Sequence, residues 1–336
     1  MIDDVTIFDC VIHVYDMSDG NLRADERTAA NGRDHIPYLQ AGNRMLPQNA
    51  SLPVDVRWSP EGTYDVVFTK DGTDFAMAQT VPIYEWFKDW FAPVTAQYEM
   101  AQRYPEQVLF CGGVDPNAQG VSETCRQVEM QAKDMGARSF KFYNGHIDDS
   151  WRCDDPKLAY PLYEKWLEMG VDVVQFHKGS PFGQQNLEDL SPLDLQKAAR
   201  DFPDLNFIIH HAAAPYFMAA VSVASRFQNV YIAMSGNINL FVLAPRMVQE
   251  WVGTLLQPVG SDRVLWGSEA PLQGYPRPYL EAFIRDFEIP EDLRVGYAFP
   301  QITREDKENI LGRNFARLMK MDLSAVQAAA PEPAAA

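Results

Sequence analysis

The sequence predicts a single α/β domain folded as a (β/α)8 TIM barrel, with a long insertion after the first strand and a disordered C-terminal tail. Three observations predict it. Eight short β-rich apolar runs recur along the chain, helical stretches separate most of them, and the 336 residues suffice for one large barrel. Strand-helix alternation implies a parallel sheet with right-handed crossovers, and eight units favour a closed barrel over an open, doubly wound sheet.

The runs come in order. VTIFDCVIH (5–13) and TDFAMAQTV (73–81) are the first two. QVLFCGGVD (107–115) is followed by VSETCRQVEMQAKDMG, a helix that ends on Gly136. ARSFKFYNG (137–145) precedes a helix stopped by Gly170. VDVVQFHKG (171–179) leads into SPLDLQKAARDF, where Ser191 and Asp194 have capping-box spacing and Pro192 sits in the first turn. LNFIIHHAA (205–213), NVYIAMSG (229–236) and RVLWGSEAP (263–271) complete the series. Two regions break this rhythm. Residues 14–72 form a long polar connection, read as a lid-like insertion, in which VDVRW-SPEG-TYDVVF suggests a β-hairpin around a Pro-Gly turn. The tail, 323–336, is of low complexity and is expected to be disordered, leaving 1–322 as the barrel domain.

Composition narrows the function classes. At 46% hydrophobic and 22% charged the chain can bury a full core. A net charge of −17 argues against a general nucleic-acid binder, because nothing would neutralise phosphates along an extended track. The four cysteines lack CxxC spacing, the N-terminus lacks a secretory pattern, and no apolar run approaches ~18 residues. These features predict a cytoplasmic protein without membrane or nucleic-acid partners.

In such a barrel the chemistry sits at the C-terminal ends of the strands. Four of the six histidines, His13, His177, His210 and His211, fall at or just past such ends, and Glu269 ends the eighth strand. Imidazoles with a carboxylate suit a Zn, Mn or Fe site, and a histidine beside it can move protons near neutral pH. His210 and His211 adjoin on a strand, so only one of them is expected to face the interior. Lys141, in SFKFY, is a further candidate for contact with substrate.

These segments are similar to those of the amidohydrolase-related family, in the branch containing aminocarboxymuconate-semialdehyde and resorcylate-type decarboxylases. FDCVIHV resembles the family's first-strand motif, with Asp9 and His13 in register; QFHKG points to His177, FIIHHAAAP to His211 with His210 beside it, and VLWGSEAP to Glu269. KENILGRNFARL is similar to the family's closing helix. The resemblance implies one divalent metal ion held by His13, His177 and Glu269. His211, Glu269 and His177 would act in catalysis. Two positions depart from the pattern: Val11 stands where a second first-strand ligand would sit, and Glu269 stands where aspartate is usual.

The leading expectation is a metal-dependent hydrolase or non-oxidative decarboxylase of a small carboxylated or carbonyl-containing substrate, aromatic ones among them. Arg44 or Arg57 would clamp its carboxylate, and Lys141 and His210 would also touch it. A homodimer is what the family suggests. Val11 raises two alternatives, a metal-independent hydrolase or lyase of the same fold, and a non-catalytic ligand-binding barrel.

Overall fold

The computed structural model describes residues 1–24, 30, 32–37, 39, 57–70 and 72–323. Eight strands form one sheet in sequential order: β1 (Phe8–Ile12), β2 (Phe75–Gln79), β3 (Val108–Gly113), β4 (Ser139–Phe142), β5 (Val173–Phe176), β6 (Asn206–Ile209), β7 (Val230–Ala233) and β8 (Val264–Leu265). Every neighbouring pair is parallel. The sheet closes on itself where Cys10 N–H donates to the Trp266 carbonyl (3.2 Å) and His13 N–H to that of Ala270 (2.9 Å). Each of the eight expected runs contains one of these strands, and the barrel is the architecture the sequence predicted.

Alternation along the strands sorts their side chains between two layers. In β4, Phe140 and Phe142 pack outward on Trp166, in the helix Tyr160–Glu168, at ring separations of 5.6 and 4.7 Å. Ser139 points the other way, and its hydroxyl oxygen accepts from the Gln175 amide across the interior at 3.1 Å. That helix and Val121–Lys133 both stop ahead of glycines with left-handed backbone, Gly170 and Gly136, as expected. Near the N-terminal ends of the strands, Phe8 meets Phe75 and Phe315 at 5.4 and 4.8 Å and fills the interior. Asn314, from the closing helix Asn314–Leu318, donates to the carbonyls of Ser261 and Val264 and pins that helix to β8. The polar groups collect further along the barrel, towards the C-terminal ends.

Two local expectations are corrected. The segment expected as a hairpin is helical over its described part: Pro60–Tyr64 is α-helical and continues as a wider π turn, Asp65–Thr69. Ser59 caps it by accepting from Gly62 N–H, with Pro60 in the first turn and Glu61 behind it, so Ser-Pro-Glu acts as a helix start and not as a hairpin turn. The Ser191–Asp194 capping box also does not form. Ser191 accepts from Leu193 N–H, but Asp194 turns inward to the ammonium of Lys178 at 2.8 Å and the Cys153 N–H. A buried lysine needs a counter-charge more than a helix end needs a second bond.

The expected tail lies outside the described residues, apart from residue 323. Among the described residues no helix is long and apolar enough to cross a membrane, and all four cysteines are free thiols.

Candidate active site

A cavity of about 500 Å3 opens at the C-terminal end of the barrel. Its floor carries His13, His177, His211, Ser235 and Glu269, and its walls are largely apolar and aromatic, with Tyr15, Phe91, Tyr143 and Phe182 among them. The first-loop segment supplies Tyr15, His35 and Leu39 to the lining. Thus His13, His177, His211 and Glu269 come together from β1, β5, β6 and β8, as strand-end positions on one barrel face must.

Each side chain is held by a particular contact. His13 Nδ1–H donates to the Gln79 carbonyl at 2.7 Å, which turns Nε2 towards Glu269 Oε2 at 3.3 Å. His177 stacks on Tyr143, ring centres 4.0 Å apart, and its Nε2–H donates to the Ser180 carbonyl at 2.8 Å. Gly179 makes that carbonyl reachable. Its φ is +66°, and a side chain there would collide with the Ala213 and Ala214 backbone, which Ser180 N–H joins at 2.7 Å.

His210 and His211 both turn inward, contrary to the expectation from strand alternation. β6 ends at Ile209, and the next residues leave extended geometry: His211, Ala212 and Ala213 all have φ near +50°. The alternation rule applies only while the strand continues. His210 Nε2–H donates to the Gln175 amide oxygen at 2.7 Å and its Nδ1 meets the Ser235 hydroxyl at 3.1 Å, so it lies under the floor and outside the cavity lining. His211 takes the floor position, with Nε2 3.1 Å from His177 Nδ1 and its own Nδ1 3.7 Å from Glu269 Oε1. Glu269 itself has φ +58°, a second strained backbone position at the site.

The hydrogen-bond directions define a proton vacancy. The Gln175 oxygen also accepts from Gln79, so His210 donates there and takes the Ser235 hydroxyl proton at Nδ1. His211 Nδ1 then faces acceptors, the Ser235 carbonyl at 3.3 Å and Glu269. His177 Nε2 faces the Ser180 carbonyl at the other end. Two imidazoles with an acceptor at each end and a nitrogen–nitrogen contact between them need three protons, and a neutral pair carries two. Burial holds both rings below the ordinary imidazole range, His177 well below, with the neighbouring Lys141 charge adding to the effect. The resting pair is therefore neutral and one proton short. For Glu269 burial works to raise the pKa, but His211, His13 and Lys141 outweigh it and keep the carboxyl well below its usual range.

The same geometry tests the expected metal set. His13 Nε2 and Glu269 Oε2 converge, and a backbone-anchored histidine is typical of ligands. The third expected donor does not join them, because both His177 ring nitrogens are engaged, and Val11 packs against Gly267 without a donor atom. Among the described residues no group of three or more His, Cys, Asp or Glu side chains is placed to hold a metal ion. The three-ligand site implied by the resemblance does not fit these positions.

Of the remaining candidates, Arg44 lies outside the described residues. Arg57 is three-quarters exposed, 3.4 Å from Asp16, and lines a neighbouring surface cleft. Lys141 is 2% exposed and is not among the residues that line the cavity. Sequence reasoning missed Gln79, Gln175, Ser235 and Tyr143. The glutamines carried a readable signal, being polar residues in the otherwise apolar strands FAMAQ and VVQF.

Comparison with known proteins agrees with this picture. A family model described as amidohydrolase matches residues 9–320. Protein fluG of Emericella nidulans is 29% identical over 97 residues, which is 29% of this chain and only 11% of fluG. The uncharacterised TIM-barrel protein Bb4693 from Bordetella bronchiseptica superposes with a TM-score of 0.66 at 20% identity, covering 94% of this chain and 99% of that one. A variant of 5-carboxyvanillate decarboxylase from Novosphingobium aromaticivorans, with bound manganese and 3-methoxy-4-hydroxy-5-nitrobenzoic acid, gives 0.57 at 14% identity, covering 95% and 98%. Likeness at these identities carries the fold.

Proposed function

The chain belongs to the amidohydrolase family, and from that premise we propose that it is a hydrolase or non-oxidative decarboxylase of a small, carboxylated or carbonyl-containing aromatic substrate. The observation that carries this reading is the neutral His177–His211 pair, one proton short, opening on an aromatic-walled cavity beside the Glu269 carboxylate. Rings of substrate fit between Tyr15, Phe91, Tyr143 and Phe182, where stacking fixes their plane. His211 takes a proton from the attacking water in hydrolysis, and Glu269 stabilises the imidazolium that results. In decarboxylation the same ring first fills its vacancy with a proton from solvent or from a substrate hydroxyl, and then delivers it to the carbon that loses the carboxylate. Tyr143 and the Ser180 carbonyl keep His177 aligned behind it.

A divalent ion is supported by the manganese in the decarboxylase neighbour, and the incomplete donor set favours an ion-independent form of the same reaction. A panel of hydroxybenzoates and aromatic esters or lactones tests the activity. Dialysis against dipicolinate with elemental analysis tests the ion, and with one donor missing the expected result is well under one equivalent retained. Turnover that survives chelation establishes the ion-independent form; loss, with rescue by Mn or Zn, establishes the other. No product from the panel sinks the hydrolysis of aromatic esters and lactones and the decarboxylation of hydroxybenzoates.

A further inference from the structure

One charged group near the site is left without a role. Lys141 faces inward from β4, one pleat above Ser139 and one below Tyr143, whose ring lines the cavity. It is 2% exposed, and among the described residues its ammonium makes no hydrogen bond and no ion pair. Its Nζ lies 6.0 Å from the centre of the Tyr143 ring, the ring on which His177 stacks. Leaving a buried ammonium unpaired costs several kcal/mol, and the contrast with Lys178 is plain. That lysine, equally buried, has Asp194 at 2.8 Å. Lys307, also buried, donates to the Ile284 carbonyl, whereas among the described residues Lys141 has neither a counter-ion nor an acceptor.

We propose that Lys141 is a nucleophilic amine that forms an imine with the ketone or aldehyde carbonyl of a substrate seated on the His177–His211 floor. This rests on the proposed function and narrows its substrate to carbonyl compounds, 3-oxo acids above all. The Lys141 nitrogen attacks the carbonyl carbon, a C–N bond forms, and after proton transfer the carbonyl oxygen leaves as water. When the adjacent carbon bears a carboxylate, its C–C bond breaks, carbon dioxide departs, and the electron pair moves to the protonated imine nitrogen. The resulting enamine carbon takes a proton from His211, whose supply is solvent. Water then adds to the imine and frees the amine and the ketone. Burial supports the role, pushing the Lys141 amine down to about 8 against the opposing Glu269 charge, so that about one amine in ten is neutral and nucleophilic at pH 7.

The test is reductive trapping. The full chain is incubated with acetoacetate, or with 4-hydroxybenzaldehyde, in the presence of cyanoborohydride, then weighed by intact mass spectrometry and peptide-mapped. The expected result is one reduced adduct per chain on the peptide containing Lys141, and at least a tenfold loss of adduct in Lys141→Arg. Mapping of the unmutated chain decides the matter without any variant, should Lys141→Arg not fold. No adduct from either carbonyl, or adduct spread over surface lysines and unchanged in Lys141→Arg, overturns the proposal. Turnover of the carboxylate panel without trapping sinks Lys141 alone. Trapping at Lys141 without turnover of the panel sustains this proposal and sinks the hydroxybenzoates, esters and lactones as substrates.

Discussion

Two buried histidine clusters lie close to the same end of the barrel, and they are built in opposite ways. In the loop after β4, His146 is fully buried with Nε2 2.9 Å from Asp115 and Nδ1 3.6 Å from Glu85. Asp115 also accepts from the Trp151 indole and from the backbone N–H groups of Asn117 and Ala118. Burial alone would lower the His146 pKa, but the two carboxylates overcome it and raise it to about 9. The His177–His211 pair has one carboxylate, no charge at its far end, and pKa values pushed the other way. One histidine is locked as a cation and ties the loops after β2, β3 and β4 together. The other two are kept neutral with a proton place open. Burial is common to both, so the number of carboxylates within reach decides which becomes scaffold and which becomes site.

The largest expected effect separates them by activity. His211→Ala should lower kcat/KM by roughly 10²- to 10⁴-fold, the usual contribution of a positioned acid–base group, with little change in Tm. Equal activity in the variant would remove the pair from the chemistry. The complementary change is Asp115→Ala, which leaves His146 without its closest partner and strips the turn at Asn117 of its cap. Breaking a buried pair this way should cost about 3–5 kcal/mol in urea denaturation. A loss under about 1 kcal/mol would show the cluster to be less than a lock.

The pH dependence of stability sharpens the contrast, because the two clusters respond with opposite sign. His146 is raised in the folded chain from 6.5 to about 9. Its contribution, roughly 3 kcal/mol, is complete below pH 6.5 and lost as pH rises through about 9. His177 and His211 are lowered on folding. Their neutral state suits the folded chain above pH 6.5, and stability falls as the unfolded rings take up protons below it. Asp9, raised to about 7, and Lys141, lowered to about 8, add slopes of their own, so the quantity to read is the difference in urea midpoint between the unmutated chain and His146→Gln from pH 5 to 10. That difference should be constant below pH 6.5 and shrink as pH rises through about 9; a difference independent of pH would detach the alkaline loss from His146.

The histidines and Glu269 were legible because strand ends can be read from the sequence and a barrel gathers them on one face. What holds them was not, since it depends on backbone that leaves the strand. The left-handed turn at His211–Ala213 brings both histidines inward, and nothing in HHAAAP announces positive φ in three residues other than glycine. The ligand role implied for His177 was legible as a type of residue, but its engagement by Ser180 and His211 depends on a loop path. Ser59-Pro60-Glu61 could have been read correctly, because a capping serine followed by proline is a local helix signal. There a turn rule was applied where a cap rule held.

Gly179 tests the loop path with the smallest change. It follows the β5 motif histidine by two positions, and its left-handed backbone lets the β5 loop lie directly on the Ala213–Ala214 carbonyls. Gly179→Ala adds one methyl group into that backbone, where no flexible side chain can yield, and strains a positive φ as well. The expected stability cost is about 1–3 kcal/mol. Activity should fall further than stability explains, because moving the Ser180 carbonyl frees His177 Nε2 and with it the tautomer that leaves Nδ1 open to His211. Comparing kcat/KM at a temperature where both proteins are fully folded separates the two effects. A variant that is less stable but equally active would mean that the Ser180 carbonyl only packs the loop. The pair would then be aligned by the Tyr143 stack alone.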